Sequence, residues 1–264
     1  MSQAGGPIPG AGDVTRKADR AAVDLNCDLG EGSAHDPALM PLATSVNIAC
    51  GGHAGDEATM AAAAGLAREH GVAIGAHPGH PDREHFGRRE LAITPREAAR
   101  LVVEQIERLA AVIGRPPRHV KLHGGLYHQV GRDERLAEAV VDAVTGRWPE
   151  MMLFALAGSR LAAVARARGL SVAEEAFVDR AYAADGTLLP RSQPGATLGD
   201  AGSAAARVVK LVREGRVEAA DGTSLAIRAD TLCIHGDGPD PVGFARAVRE
   251  AIAAAGIALR PACG

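Results

Sequence analysis

The chain has 264 residues, 47% of them hydrophobic and 23% charged, and its formal net charge is −3. Such a composition suits one soluble globular domain, at a length where α/β barrels stay undivided. No basic stripe is present, which excludes nucleic acid and anionic membrane as expected partners, and no apolar run approaches the roughly 20 residues of a membrane span.

In chain order, residues 1–20 are rich in Gly, Pro and polar residues and lack the apolar core of a secretory signal. They read as a disordered tail ahead of a single domain spanning 21–264. The first β-type run is AAVDLNCDL (21–29), followed by TSVNIAC (44–50). A helix is expected over 56–71, with Asp56 as N-cap and Gly71 as its stop. The third strand is VAIGAH (72–77), and a long insertion, 78–93, follows it. The helix over 94–114 carries Thr94 as N-cap, Pro95 at the first helical position, Glu97 for a capping box and Gly114 at its end. RHVKLH (118–123), MMLFALA (151–157), LSVAEEAF (170–177) and TLCIHG (231–236) are the remaining strands, with further helices over 133–144 and 240–256. A second insertion covers 178–199, and 216–228 reads as a hairpin turning at Asp221-Gly222. Seven β units followed by helices argue for parallel strands wrapped by helices, with an open doubly wound sheet as the alternative.

Strands of a parallel sheet are covered on both faces and should be nearly continuously apolar. These are not. Asp24, Asn26 and Asp28 alternate along the first strand and so share a face. Asn47 lies in the second strand with His53 just beyond it, and His77 ends the third. Lys121, one of only three lysines in the chain, ends the fourth with His123. Glu174 and Glu175 are late in the sixth, and His235 and Asp237 end the seventh. The polar residues thus gather at the carboxyl ends of strands, where barrels and open α/β sheets build their sites.

Each residue alone has a bland explanation. Asp24 and Asp28 can bond loop amides, Lys121 can be half of a structural ion pair, and a strand-end histidine is more often a packing residue than a catalyst. His35, His70, His80, His85 and His119 read as solvated. Four strands delivering His53, His77, His123 and His235 to one rim are harder to obtain from packing alone. Arg88 and Arg89, in the 78–93 loop, can clamp a carboxylate or phosphate with their guanidinium forks or remain solvated loop charges. No phosphate-binding glycine loop and no G-x-S-x-G elbow is present. Cys27, Cys50, Cys233 and Cys263 are widely spaced and read as reduced, buried thiols of a cytoplasmic protein.

The segments VDLNCDLGEG, SVNIACGGHAGD, GVAIGAHPGHPD, FGRRELAITPREA, VKLHGGLYHQV, VAEEAFVDRAYAADGTLLPRSQPGA and ADTLCIHGDGP, in this order across residues 23 to 256, resemble the LamB/YcsF family of bacterial ATP-dependent 5-oxoprolinase A subunits. The resemblance implies a distorted seven-stranded (β/α) barrel of the glycoside hydrolase/deacetylase type. It also implies ATP-coupled cleavage of 5-oxo-L-proline to L-glutamate in a complex with two other subunits, B and C. The chain departs from the family pattern in a short SAHDPALM segment and at Gly52, Leu122 and Gly125, changes that imply a wider pocket mouth.

Opening an unstrained lactam is uphill, and phosphorylating its oxygen with ATP would make its carbon open to water. That chemistry needs a cation near developing negative charge and a base for water. Lys121 suits the first role; His77, His123 or Asp24 suits the second. Asn26, Asn47, His53, Arg88, Glu175, Arg191 and His235 are the expected substrate contacts. The deacetylase kinship implies a rival, a stand-alone metal-dependent amide hydrolase in which Asp24, His53 and His77 hold a divalent ion. A non-catalytic member of the complex is the remaining alternative.

Overall fold

A computed structural model describes residues 22–236 and 240–263. The expected tail, and Asp237, lie outside the described residues. In chain order the elements are β1 (Ala22–Leu29), α1 (Asp36–Leu39), β2 (Ser45–Ala49), α2 (Glu57–Glu69), β3 (Ala73–His77), α3 (Pro95–Ile113), β4 (His119–Lys121), α4 (Gly124–Arg132), α5 (Glu134–Arg147), β5 (Met152–Leu156), α6 (Arg160–Ala167), β6 (Val172–Phe177), α7 (Ala201–Glu214), β7 (Arg216–Glu218), β8 (Ser224–Ala226), β9 (Thr231–Ile234), α8 (Pro241–Ala254) and β10 (Ala258–Leu259). Seven of the strands run parallel in the order β1-β2-β3-β4-β5-β6-β9. Pairing of β9 back onto β1, Asp24 opposite Thr231 and Cys27 opposite Ile234, closes them into a (β/α) barrel and removes the open-sheet alternative. β10 adds a short parallel pair to the start of β1, which the sequence pattern did not indicate.

Local signals explain the helices. Asp56 and Thr59 form a reciprocal capping box on α2. Thr94 and Glu97 do the same on α3, with Pro95 in its first turn and Gly114 closing it in the left-handed region at φ 75°. Val102, Ile106, Leu109 and Ile113 of α3 form one buried stripe against the sheet. On β1, Val23, Leu25, Cys27 and Leu29 are buried in the apolar core, while the alternate residues turn into the barrel. β7 and β8 form the expected hairpin outside the barrel. All four cysteines are buried and free of disulfides. Among the described residues no helix is long and apolar enough to cross a membrane.

The 78–93 insertion is fixed over the carboxyl end of β4. Gln105 of α3 bonds both sides of Gly79, donating to its carbonyl at 2.7 Å and accepting from its N–H at 3.2 Å. Gly124 and Gly125 open α4 because the loop backbone lies against them. A Cβ on Gly124 would reach the Gly87 carbonyl at 2.6 Å, and one on Gly125 would run into that of Arg89.

Candidate active site

Successive inward residues on a strand climb about 7 Å, two residues at about 3.3 Å each. The barrel interior is therefore layered, and here its layers are polar rather than filled by branched apolar side chains. Asp24 is the deepest. Its carboxylate accepts hydrogen bonds from Thr44 at 2.6 Å, Ser45 at 2.7 Å and Thr231. Burial raises its pKa in spite of these three donors.

The next layer is equally committed. The Asn26 amide donates to Glu175 at 3.0 Å and Thr231 at 2.7 Å, while its oxygen accepts from Asn47 at 2.7 Å and Lys121 at 3.2 Å. Asn47 also donates to Asp28 at 2.8 Å. The remaining Glu175 oxygen accepts from Tyr127 at 2.9 Å. The Lys121 ammonium lies 2.9 Å from each of Asp28, Glu175 and Cys233 Sγ. His119 donates from Nε2 to the Asn47 oxygen at 2.9 Å and stacks on Phe154 at 4.1 Å between centroids. Gly75 admits that ring: a Cβ there would collide with it. Burial and the nearby Lys121 push His119 down to about 3.

Above this network lies a rim of different character. Glu31, on the turn after β1, places Oε1 2.9 Å from His53 Nε2, 3.4 Å from His123 Nδ1 and 3.7 Å from His77 Nε2. His77 Nε2 and His123 Nδ1 are 3.0 Å apart, and His77 Nε2 is 3.3 Å from Asp28 Oδ2. The other ring nitrogens are anchored, His77 Nδ1 to the Lys121 carbonyl at 2.9 Å and His123 Nε2 to the Phe86 carbonyl at 2.8 Å. Phe86 is the one non-glycine residue with a left-handed backbone among the described residues, at φ 54°. Its ring packs edge-on against both His53 and His123.

Burial, reinforced by the charge of His77, pushes His53 down to about 2. Burial, with His53 and His77 alongside, also holds His123 well below the ordinary histidine range. For His77 burial acts downward too, but the carboxylates of Asp28 and Glu31 outweigh it and raise the pKa. Burial raises Glu31. Burial would raise Asp28 as well, but His77 and Lys121 outweigh it and hold its carboxyl well below the usual range. To one side, His235 Nδ1 faces the Asp179 carboxylate at 2.8 and 3.1 Å, leaving Nε2 turned toward Asp28, 3.9 Å away.

Ligand atoms of Glu31, His53, His77 and His123 all lie within 4.8 Å of one another, a set able to hold a metal ion. Ligand atoms of Asp28, Cys233 and His235 also lie within 4.8 Å of one another, but the Lys121 ammonium already stands against Asp28 and Cys233, so a second cation there would be repelled.

The structure thus gathers His53, His77, His123 and His235 on one rim. Other expectations are corrected. Asp24 lies below the histidines and is saturated by hydroxyls, so it joins neither them nor a metal set. Asn26, Asn47 and Glu175 are 0% exposed and spend their polar groups inside the barrel. Lys121, at 2% exposure, is held between two carboxylates instead of facing the rim opening. Glu174 turns outward to Arg166. Arg89 commits its fork to Asp82, and Arg88 is exposed with its guanidinium 5.0 Å from the Phe86 ring centroid. Arg191 is near enough to Asp179 to help lower its pKa. His80 and His119 are buried, not solvated, His80 bonding Gln129. The glycine departures do not widen the mouth, since a Cβ on Gly52 would meet Gln105 and the Gly79 carbonyl at 2.5 Å, and Leu122 is buried. The sequence reading missed Glu31 and Asp179. Glu31 lies between Gly30 and Gly32 of a turn, beyond the reach of strand periodicity, and Asp179 is two residues past β6.

A closed barrel with a histidine-rich rim at the carboxyl ends of its strands defines a (β/α)-barrel protein with its site in the usual place for that fold. The chain belongs to the LamB/YcsF family, whose model matches residues 23–264. It is 49% identical over 249 residues to a protein of Bordetella pertussis named as the A subunit of 5-oxoprolinase, covering 91% of this chain and 99% of that one. A Heliobacterium modesticaldum protein of the same name is 47% identical, covering 90% and 97%. The crystal structure of a lactam utilization protein from Thermus thermophilus superposes with a TM-score of 0.85 at 46% identity, covering 90% of this chain and 99% of that one.

Proposed function

We propose that this chain is the A subunit of a three-subunit, ATP-dependent 5-oxoprolinase that cleaves 5-oxo-L-proline to L-glutamate, ADP and phosphate. The observation that carries this reading is the rim itself: Glu31, His53, His77, His123, Asp28 and the His235–Asp179 pair, on a chain that aligns with nearly the whole length of relatives named for the reaction.

The lactam oxygen takes the γ-phosphoryl group of ATP and ADP departs. One water adds to the activated ring carbon and the C–N bond breaks, leaving an acyl phosphate and a free amine. A second water releases phosphate. His235 is the base for water: Asp179 holds its Nδ1–H, which leaves Nε2 as the lone pair facing the rim. The cluster around Glu31 faces the reacting carbonyl, and Lys121 keeps Asp28 ionised beneath it. ATP enters with the partner subunits, since this chain has no glycine-rich phosphate loop.

An ATP-dependent 5-oxoproline assay on the chain alone and with its two partners tests the proposal. Turnover is expected only from the complete complex, and robust turnover by the single chain would overturn the three-subunit reading. One observation, the histidine–carboxylate cluster, favours a second reading, a stand-alone metal-dependent amide hydrolase. Chelator-sensitive, ATP-independent amide cleavage by the single chain would identify it.

A further inference from the structure

We infer that the rim is a divalent transition-metal site of the zinc class, with His77 Nε2, His123 Nδ1 and the Glu31 carboxylate as ligands and with His53 holding that carboxylate. The inference rests on ligand geometry and is independent of the substrate assignment.

Tautomers come first. A backbone carbonyl only accepts, so the His77 nitrogen facing the Lys121 carbonyl is N–H, as is the His123 nitrogen facing the Phe86 carbonyl. In the neutral rings His77 Nε2 and His123 Nδ1 are then both bare lone pairs, yet they face each other at 3.0 Å. A Glu31 oxygen, another acceptor, lies 3.4 and 3.7 Å from them. With Asp28 Oδ2 also 3.3 Å from His77 Nε2, four acceptors converge in a buried pocket and call for positive charge between them.

The spacing suits a metal. With bonds of about 2.0–2.1 Å, tetrahedral ligand atoms stand about 3.3–3.4 Å apart. The three separations here, 3.0, 3.4 and 3.7 Å, bracket that value. Anchoring of the second ring nitrogen on a backbone carbonyl is the usual support of a metal-bound histidine. One of these carbonyls belongs to Phe86, whose left-handed backbone is a strained conformation kept where it aims an atom. His53 has a different place. Its ring stacks parallel to His123 at 3.6 Å, so the two rings share no common plane in which to meet one ion. Its Nε2–H instead donates to Glu31 at 2.9 Å and orients the carboxylate. Two imidazoles and one carboxylate favour zinc-class ions over magnesium or calcium, and three protein ligands leave one position open. A metal so placed supplies Lewis acidity to a carbonyl oxygen.

The test is direct. Full-length protein is stripped with a chelator, the chelator is removed, and Co²⁺ and then Zn²⁺ are titrated. Stoichiometric binding is expected, with the strong visible bands of a four-coordinate cobalt site. Glu31→Gln, His77→Ala and His123→Ala should each abolish the bands, and His53→Ala should weaken binding by about 10–100-fold, as loss of an orienting partner does. Circular dichroism on each variant separates lost ligands from lost fold. If the stripped wild-type protein takes up neither metal, a shared proton fills the gap and the inference falls. It falls equally if folded ligand variants bind as the wild type does. Turnover by a complex that binds no metal would sink the inference and leave the proposed function standing.

Discussion

The barrel interior and its rim are built from the same residue types, yet they differ in saturation. Inside, Asn26, Asn47, Lys121 and Glu175 satisfy one another, Asp24 is satisfied by hydroxyls, and every donor has an acceptor. On the rim, with the imidazoles neutral, acceptors face acceptors, and His53 Nδ1 is buried with no partner among the described residues. Buried polar groups are normally satisfied, and the exceptions call for an explanation. The saturated layers are support. In the proposed function, the unsaturated one is where a substrate, a cation or a proton is received. The two regions should therefore answer mutation in opposite ways, the interior losing stability and the rim losing turnover.

The largest effect is expected at Lys121. Replacing it with Met leaves Asp28 and Glu175 buried and facing each other without their cation. Breaking a buried pair in this way costs about 3–5 kcal/mol. Chemical denaturation should show that loss, while turnover per folded molecule in the reconstituted complex falls far less. A stable Lys121→Met protein with turnover reduced by about 10² or more would reverse the assignment and make the lysine an electrostatic catalyst.

The rim provides the counterpart. His235→Ala should lower turnover by at least about 10²-fold, some 2.7 kcal/mol of activation free energy, with the denaturation midpoint nearly unchanged. Asp179→Asn should reproduce part of that loss, because the base would lose the partner that sets its tautomer. A large fall in stability with normal turnover in either variant would place the pair among the supports.

Much of this was legible in the sequence. Seven strands were readable from apolar runs, α2 and α3 from their caps, and the rim from polar residues at strand ends. Depth was not. Alternation puts Asp24, Asn26 and Asp28 on one face, but Asp24 and Asp28 are four residues, about 13 Å, apart along the barrel. Only the first is ringed by hydroxyls and only the last reaches the histidines. His119 read as solvated because the vacancy that admits it, at Gly75, lies 44 residues away in sequence. Glu31 escaped because a residue in a turn has no period. Lys121 drew attention through its rarity, which marks an unusual position without saying whether the charge is already neutralised.

A third contrast is one of pH. His119 has its pKa depressed to about 3 by burial, against about 6.5 when unfolded. Its contribution to stability is full above the unfolded value and is lost as pH falls from about 6.5 toward 3, at up to about 1.4 kcal/mol per pH unit. By pH 5 the loss should be roughly 2 kcal/mol. His119→Gln keeps an N–H for Asn47 and removes the titration. Unfolding free energies measured from pH 7 to 5 should therefore be flatter in the variant by about that amount, whatever its midpoint at neutral pH. An unchanged slope would mean that the ring takes a proton in place and that the interior is wetter than its bonding suggests.

The smallest effect is expected where the interior network ends. Cys263 Sγ lies 3.5 Å from His119 Nδ1, and burial raises its thiol to about 11, so it is an S–H donor at any ordinary pH. It fills the one acceptor that His119 leaves after giving its Nε2–H to Asn47. The chain Cys263, His119, Asn47, Asp28 then runs from the base of the barrel to the rim with donor and acceptor fixed at each step. Cys263→Ala removes a weak donor and leaves Nδ1 unpaired, a cost of about 1 kcal/mol. Cys263→Ser restores an O–H and should recover part of it. Turnover should stay within about two-fold in both variants, since Asn47 continues to hold the tautomer. Loss of turnover in Cys263→Ala with rescue by Cys263→Ser, at matched stability, would show that orientation passes through the whole barrel, and the line between support and rim would have to be drawn lower.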